Sequence, residues 1–414
     1  MSKWSSASLG EVADLVLGKM LDQAKNLGEP LPYLGNVDVR WGEFDLHNLR
    51  TMRFQPHERE RYGLKFGDIV MCEGGEPGRC AIWKNQFPGM MIQKALHRIR
   101  PLDFLDYRFL YYNLLDIGKN KGFDQYFTGS TIKHLSAEKL AKVEVNFPPL
   151  PTQQRIASIL SAYDELIENN QRRIKILESM ARALYREWFV YFRYPGHKSV
   201  PLVPSTLGNI PQGWEVKRLD QVCRSIQDGD WIETKDQGGE DFRLLQISNV
   251  GIGEFIETGN RRFITHETYS RLRCNEIIPE DLLVARMPTP IGRGWLATKM
   301  PWRMITSVDV AIIRVERVVV QPIFLAQAWN ETSNLQRIAV QATGTTRLRI
   351  TRRELEALEF VIPTQAVQQR FVDIVHSQRT LIETLKQQIQ NLRTTRDALL
   401  PRLLSGQIDV DVAA

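Results

Sequence analysis

Two stretches of the chain each carry one long apolar stripe. From Thr152 to about Phe192 the stripe falls at 156, 159/160, 163, 166/167, 174, 177, 184 and 188, with Asn170 inside it. Steps alternating between three and four predict a helix with one buried face. Pro148-Pro149-Leu150-Pro151 stops whatever precedes it, Thr152 stands as N-cap, and Tyr194-Pro195-Gly196 ends it. Roughly 38 residues at ~1.5 Å each would span ~57 Å. A second stripe, Phe371, Ile374, Leu381, Leu385, Ile389, Leu392, Leu399 and Leu403, predicts a helix over 364–404 that kinks or frays at Pro401. Elsewhere the runs are short. Asp68–Met71, Ala95–Ile99 and Val308–Ile313 read as strands, and Asp103–Leu115 and Pro322–Glu331 as helices. They do not alternate regularly, which argues against a doubly wound sheet.

The pattern occurs twice. Thr128-Gly129-Ser130-Thr131 returns as Thr343-Gly344-Thr345-Thr346, an offset of 215, and Pro148 and Gln153-Gln154-Arg155 return as Pro363 and Gln368-Gln369-Arg370. The register then holds without a gap to Leu184 and Leu399. Upstream the match is looser: Trp4 with Trp214, Asn36-Val37 to Gly42-Glu43-Phe44 with Asn249-Val250 to Gly253-Glu254-Phe255, Gly67–Val70 with Glu280–Leu283, and Gly78-Arg79 with Gly292-Arg293. The expected class is α+β. Globular regions 1–150 and 195–363 are each followed by a long helix, 151–194 and 364–406, with a tail 407–414. One stripe on so long a helix requires a partner. An antiparallel coiled coil of the two, with an internal pseudo-two-fold, is the economical arrangement. Each helix docking on its own domain, or self-association in trans, are the alternatives.

Composition narrows this a little. Forty-three per cent hydrophobic and 25% charged residues are ordinary for a globular protein, and 20 Pro with 27 Gly argue against bulk disorder. No run approaches a membrane span and the N-terminus lacks a signal peptide's apolar core, so the expectation is a cytoplasmic protein without a membrane partner. Cys72, Cys80, Cys223 and Cys274 are too scattered for a disulfide framework or zinc site and are expected reduced and mostly buried. A net charge of +6 suits a polyanion without requiring one.

No P-loop, paired-glycine fingerprint or HExxH occurs. Asn146-Phe147-Pro148-Pro149 has the wrong order for an adenine methyltransferase loop and reads as a corner between domain and helix. Asp68 and Glu73 have no Glu-x-Lys partner for nuclease chemistry, and Asp68 reads as a turn entering a strand. The expectation is a chain without catalytic or metal residues that binds no cofactor. What remains are paired loops. Thr128, Ser130, Thr131, Lys133 and His134 in one half answer to Thr343, Thr345, Thr346, Arg347 and Arg349 in the other. Hydroxyls and backbone N–H groups bond phosphate oxygens, and Lys and Arg neutralise them. The same residues also suit turns capping the following helix. A second pair, Glu73–Arg79 and Arg286–Arg293, is shaped by Gly and Pro and ends in arginines. Arg79, Arg286 and Arg293 are candidates for guanine contacts, against ordinary surface loops. Arg352 and Arg353 suit a solvated helix face.

At the helix entries, Pro148 through Ala157 and Ile362-Pro363 through Gln368-Gln369-Arg370, the chain resembles the specificity subunit of Type I restriction–modification enzymes. The exit Leu184-Tyr185-Arg186-Glu187-Trp188-Phe189-Val190, the domain entry Leu207 through Val216 and the ending Leu399 through Gly406 resemble it too. The resemblance covers nearly the whole chain. It implies two target recognition domains, each reading one half of a bipartite asymmetric site in double-stranded DNA. It implies that the helices act as spacer and docking surface for methylation subunits. Ile156, Ile159, Leu166, Ile174, Leu177, Leu184 and Trp188 would serve there, with Phe371, Ile374, Leu381, Ile389, Leu392 and Leu399. S-adenosylmethionine and the chemistry would sit on those methylation subunits, and motor-nuclease subunits would join for cleavage. The second copy departs from the entry pattern, with Pro363-Thr364-Gln365-Ala366-Val367 in place of Pro-Pro-Leu-Pro. A coiled-coil scaffold whose domains bind protein or RNA is the alternative of another class. A fragment of a single-chain restriction–methylation enzyme is a third.

Overall fold

The computed structural model describes residues 4–20, 22, 26–129, 133–344 and 347–410. The chain divides into two compact units, Met1–Gln171 with Lys386–Ala414, and Arg172–Leu385. The mixed α and β content expected from the sequence is present in both.

Unit 1 holds strands β1 (Ser5–Ser8), β2 (Ala13–Leu17), β3 (Glu29–Leu34), β4 (Arg50–Phe54), β5 (Ile69–Cys72), β6 (Cys80–Ile82), β7 (Met91–Ile92), β8 (Leu96–Pro101) and β9 (Glu144–Phe147). They form sheets ordered β2-β8-β5-β6 and β4-β3-β7 and the pair β1-β9. Unit 2 opens with a hairpin, β10 (Leu202–Ser205) and β11 (Gly208–Pro211). It continues with β12 (Glu215–Arg218), β13 (Cys223–Asp228), β14 (Phe242–Leu245), β15 (Phe263–Ile264), β16 (Leu282–Ala285), β17 (Gly294–Leu296), β18 (Arg303–Thr306), β19 (Val310–Val315) and β20 (Glu359–Ile362). Its sheets, β13-β19-β16-β17, β15-β14-β18 and β12-β20, repeat those of unit 1 strand for strand.

Side chains repeat with them. Asp68 accepts two 2.7 Å bonds from Arg100 and one from Lys65 N, and Asp281 accepts two of 2.7 Å from Arg314 and one from Ile278 N. These carboxylates brace a strand entry, as expected of Asp68. The upstream register needs correction. Gly35 N donates to Asp38 as Gln246 N does to Asn249, and the bridge Val39–Phe44 answers to Val250–Phe255. Asp38-Val39, not Asn36-Val37, is thus the counterpart of Asn249-Val250.

The central helix runs from Leu150 to Tyr185 and continues as a wider π turn over Arg186–Val190. It starts before Thr152, which is therefore not its N-cap. The Pro149 carbonyl accepts from Thr152 N and Gln153 N, and Pro151 sits in the first turn, where its missing N–H costs nothing. The C-terminal helix spans Gln365–Leu404 and carries on through Pro401. Asp106 caps the shorter helix Tyr107–Lys119, which so begins later than expected.

In the central helix, positions 153, 156, 160, 163, 167, 170, 174, 177, 181, 184 and 188 are buried or half-buried, and the C-terminal helix repeats that seam at an offset of 215. Ile156, Ile174, Leu177, Leu184 and Trp188 lie on it, as do Phe371, Ile389, Leu392 and Leu399. Ile159, Leu166, Ile374 and Leu381 do not: they are 37%, 51%, 44% and 37% exposed. Leu160, Ile167, Val375 and Ile382 are buried beside them.

Within unit 1 the two helices pack antiparallel. Arg396 pairs with Asp164, and Asn170 donates to Gln388 at 3.3 Å. Leu400 and Leu403 share a core with Ile156, Leu160, Phe109 and Leu9. Within unit 2, Phe371 packs on Tyr185, Trp188 and Phe189 at centroid distances of 6.2, 6.1 and 5.0 Å, in one core with Trp329 and Phe360. Each helix start is pinned alike. Gln153 donates to Pro148 O (2.8 Å) and Phe104 O (3.2 Å) and accepts from Asp106 N (2.9 Å). Gln368 does the same with Pro363 O, Val319 O and Gln321 N at 2.8, 3.2 and 2.9 Å. The divergent second entry therefore keeps the geometry of the first.

Candidate nucleic-acid interface

Antiparallel pairing decides which loops share a sheet end. In unit 1, Leu17 pairs with His97 and Cys72 with Leu96, so the segments leaving β2 and β5 emerge beside the one entering β8. The loop after Phe127 is fastened to the same end. Thr128 and His134 exchange two 2.9 Å backbone bonds, Leu135 N donates to Glu73 O at 2.8 Å, and His97 Nε2 donates to Leu135 O at 2.7 Å. Burial pushes the His97 pKa down and keeps the ring neutral. Unit 2 is built the same way. Asp228 pairs with Ala311 and Ala285 with Val310; Thr343 and Arg349 exchange backbone bonds, and Ile350 N donates to Arg286 O at 3.2 Å. The two loop families noticed separately in the sequence are thus neighbours in each unit.

Their arginines have different fates. Arg79 donates to Asn36 O at 2.8 Å and pairs with Glu76 at 2.9 Å. Arg293 donates to Ile247 O (3.0 Å), Val250 O (2.6 Å), Pro288 O (2.8 Å) and Pro290 O (3.1 Å). Asn36 and Ile247 occupy equivalent turns, so these guanidiniums are one loop-stapling device used twice. Arg286 is 3% exposed, bonded to Val308 O and paired with Asp228 at 2.9 Å. These three hold loop shape with the donors a base would need. Thr128, Lys133, His134, Thr343 and Arg347 are exposed, and Arg349, half-buried, pairs with Asp309 at 3.1 Å. Ser130, Thr131, Thr345 and Thr346 lie outside the described residues.

Several groups at this end escaped the sequence reading. Trp41 Nε1 donates to Glu76 at 2.7 Å. A Cβ at Gly118 would lie 2.5 Å from the Trp41 ring, so the helix reaches the indole only because residue 118 is glycine. Trp41, Lys121, Phe123, Phe127 and Lys133 line a cleft of about 610 Å³ between the two loops. Lys133 Nζ stands 5.3 Å from the Phe127 centroid and 3.9 Å from Asp124. In unit 2, Trp231 is 73% exposed, and Met20, at the same place after β2, is 52% exposed. Each follows an anchored polar residue. Lys19 is paired with Glu58 at 2.5 Å, and Asp230 accepts from Asn275 N at 3.0 Å. Burial pushes the Asp230 carboxyl up to about 6. Single exposed apolar residues leave little periodic trace, which is why these were not read.

Among the described residues no group of three or more His, Cys, Asp or Glu could hold a metal ion, and no helix is long and apolar enough to cross a membrane. Cys72, Cys80 and Cys274 are buried and Cys223 half-buried, all four as free thiols.

A mixed α/β unit built twice, presenting paired loops at one sheet end, defines a duplicated loop-presenting fold. Residues 1–179 match the family described as the Type I restriction modification DNA specificity domain. The chain is 25% identical to the Type I restriction enzyme MjaIX specificity subunit of Methanocaldococcus jannaschii over 83% of its own length and 78% of the relative's. It is 22% identical to the MjaVIII specificity subunit of the same organism over 98% and 93%. The solved S subunit of a Type-I restriction-modification system from M. genitalium has the same fold. That likeness has a TM-score of 0.55 at 16% identity over 97% of this chain and 96% of that one. Residues 1–179 thus match that specificity-domain family, and over most of its length the chain is similar to specificity subunits of Type I restriction enzymes.

Proposed function

We propose that this chain is the DNA-reading subunit of a Type I restriction–modification complex, each unit reading one half of a split, asymmetric duplex site. One observation carries the reading. The same two loops stand on the same sheet end in both units, yet equivalent positions differ in charge and size: Glu73 against Arg286, His134 against Arg349, Lys19 against Asp230. A conserved frame with divergent loop chemistry suits two readers of different sequence. The helices act as an antiparallel coiled-coil spacer. They set the spacing between half-sites, and one helical turn, about 10 base pairs between centres, would keep both units on one DNA face. Ile159 with Leu166, and Ile374 with Leu381, are exposed at equivalent places and support docking of methylation subunits. Those subunits would bring S-adenosylmethionine and the chemistry, and motor-nuclease subunits would join for cleavage.

Methylome sequencing of a host with and without this gene tests the reading. The expected result is a split, non-palindromic motif present only with the gene. A contiguous or palindromic motif, or no change, contradicts it. Duplex binding by the assembled complex that ignores salt and sequence would favour a scaffold for protein or RNA instead.

A further inference from the structure

Building on the reading that duplex DNA meets these loops, we propose that the cleft of unit 1 seats a sugar–phosphate segment of the DNA backbone between two lysines and two aromatic walls that unit 2 does not repeat. At about 610 Å³ the cleft is of ligand-holding size, and it opens between both candidate loops. Its acids are largely occupied. Glu76 is held by Trp41 Nε1 at 2.7 Å and by Arg79 at 2.9 Å. Asp124 stands 3.9 Å from Lys133 with both side chains more than half exposed, a pairing worth little that a phosphate can displace. Lys121 is exposed and makes no ion pair among the described residues. The Phe127 ring holds the Lys133 ammonium near the cleft.

The chemistry favours backbone over base. Ammonium groups are point charges suited to phosphate, without the fork that reads guanine. Glu76 is already held by Trp41 and Arg79 and so is not free to read a base edge, while the Trp41 and Phe127 rings offer apolar walls to deoxyribose. In unit 2 the same offset of 215 replaces Lys121, Phe127 and Lys133 by Gln336, Ala342 and Leu348, and the counterpart of Trp41 is Ile252. The two ammonium groups and the aromatic walls are gone together, and the exposed cation left in that loop is the Arg347 guanidinium, one position away from the place of Lys133.

The test uses the complex assembled with its methylation subunits. Its affinity is measured across a potassium chloride series for a duplex carrying its methylation motif and for a scrambled duplex. A wild-type complex that does not prefer the motif duplex sinks the DNA-reading assignment itself, before the cleft is in question. Given that preference, Lys121→Gln/Lys133→Gln should make the slope of log affinity against log salt shallower by about 1.8, at ~0.9 per phosphate. Both duplexes should weaken alike, with the methylated motif unchanged. Both lysines are exposed, and unchanged capture of methylation subunits confirms the fold. Gln336→Ala/Leu348→Ala should leave the slope as it is. An unchanged slope in the lysine variant, a loss confined to the motif duplex, or an equal loss in the unit 2 variant overturns the proposal.

Discussion

Gln153 and Gln368 show what a single buried polar residue does in this chain. Each satisfies three backbone groups where a domain hands over to its helix, and neither is more than 1% exposed. Removing the amide leaves two carbonyls and one N–H without partners. Gln153→Ala or Gln368→Ala should therefore cost about 2–4 kcal/mol, read as a lowered denaturation midpoint. The exposed neighbour Gln154→Ala should cost under about 0.5 kcal/mol. Equal effects would contradict the pinning role. Asp230 gives a second prediction at this scale. Its carboxyl titrates at about 6 in the folded chain because burial disfavours the charge. It titrates near 4 when unfolded, so the native state holds more protons between those values. Stability then falls as pH rises across that window. Asp230→Asn keeps an oxygen for Asn275 and removes the dependence. The stability of wild type relative to the variant should drop between about pH 4 and pH 6, and a flat difference would contradict the assignment. The arginines mark the limit of sequence reading here. Arg79, Arg286 and Arg293 look like DNA contacts in a string of letters, because nothing in the chain's order tells where Asn36, Ile247 or Val308 will place its carbonyl.

Among elements, the long helices were the most legible, since an unbroken three-four alternation has few other meanings. Their faces were read one residue off in places. Ile159-Leu160 and Leu166-Ile167 are apolar doublets, and pattern alone cannot choose which member enters the seam. The choice follows from the register set at Gln153, a polar residue in the seam that an apolar pattern misses. The distinction is testable. Phe371→Ala, fully buried among aromatic rings, should cost about 3–5 kcal/mol. Ile159→Asp/Leu166→Asp, on the exposed side, should leave the denaturation midpoint nearly unchanged while abolishing capture of methylation subunits. Loss of stability with retained capture would reverse those roles. The globular strands were legible only where apolar residues ran together or alternated over four or more positions, as at β5, β8 and β19. Short strands such as β7 and β15, two residues each, carry too little pattern.

For the whole molecule, the duplication organises everything else. An offset of 215 in the helices becomes, in the structure, equivalent sheets, stapled turns, pinned helix entries and loop pairs. The matched parts are those whose partners are backbone groups and core side chains. The unmatched parts are the loop side chains facing solvent, where no packing constraint holds the two copies alike. The central claim is that these loops are independent readers on a common frame. Exchange of residues 1–147 for the corresponding region of a relative with a known motif tests it most directly. The exchange retains Gln153 and both helices, and the methylome of the host is then sequenced. The account predicts that one half of the split motif changes to that of the donor while the other half and the spacing stay as they were. A change in both halves, or in neither, would contradict it.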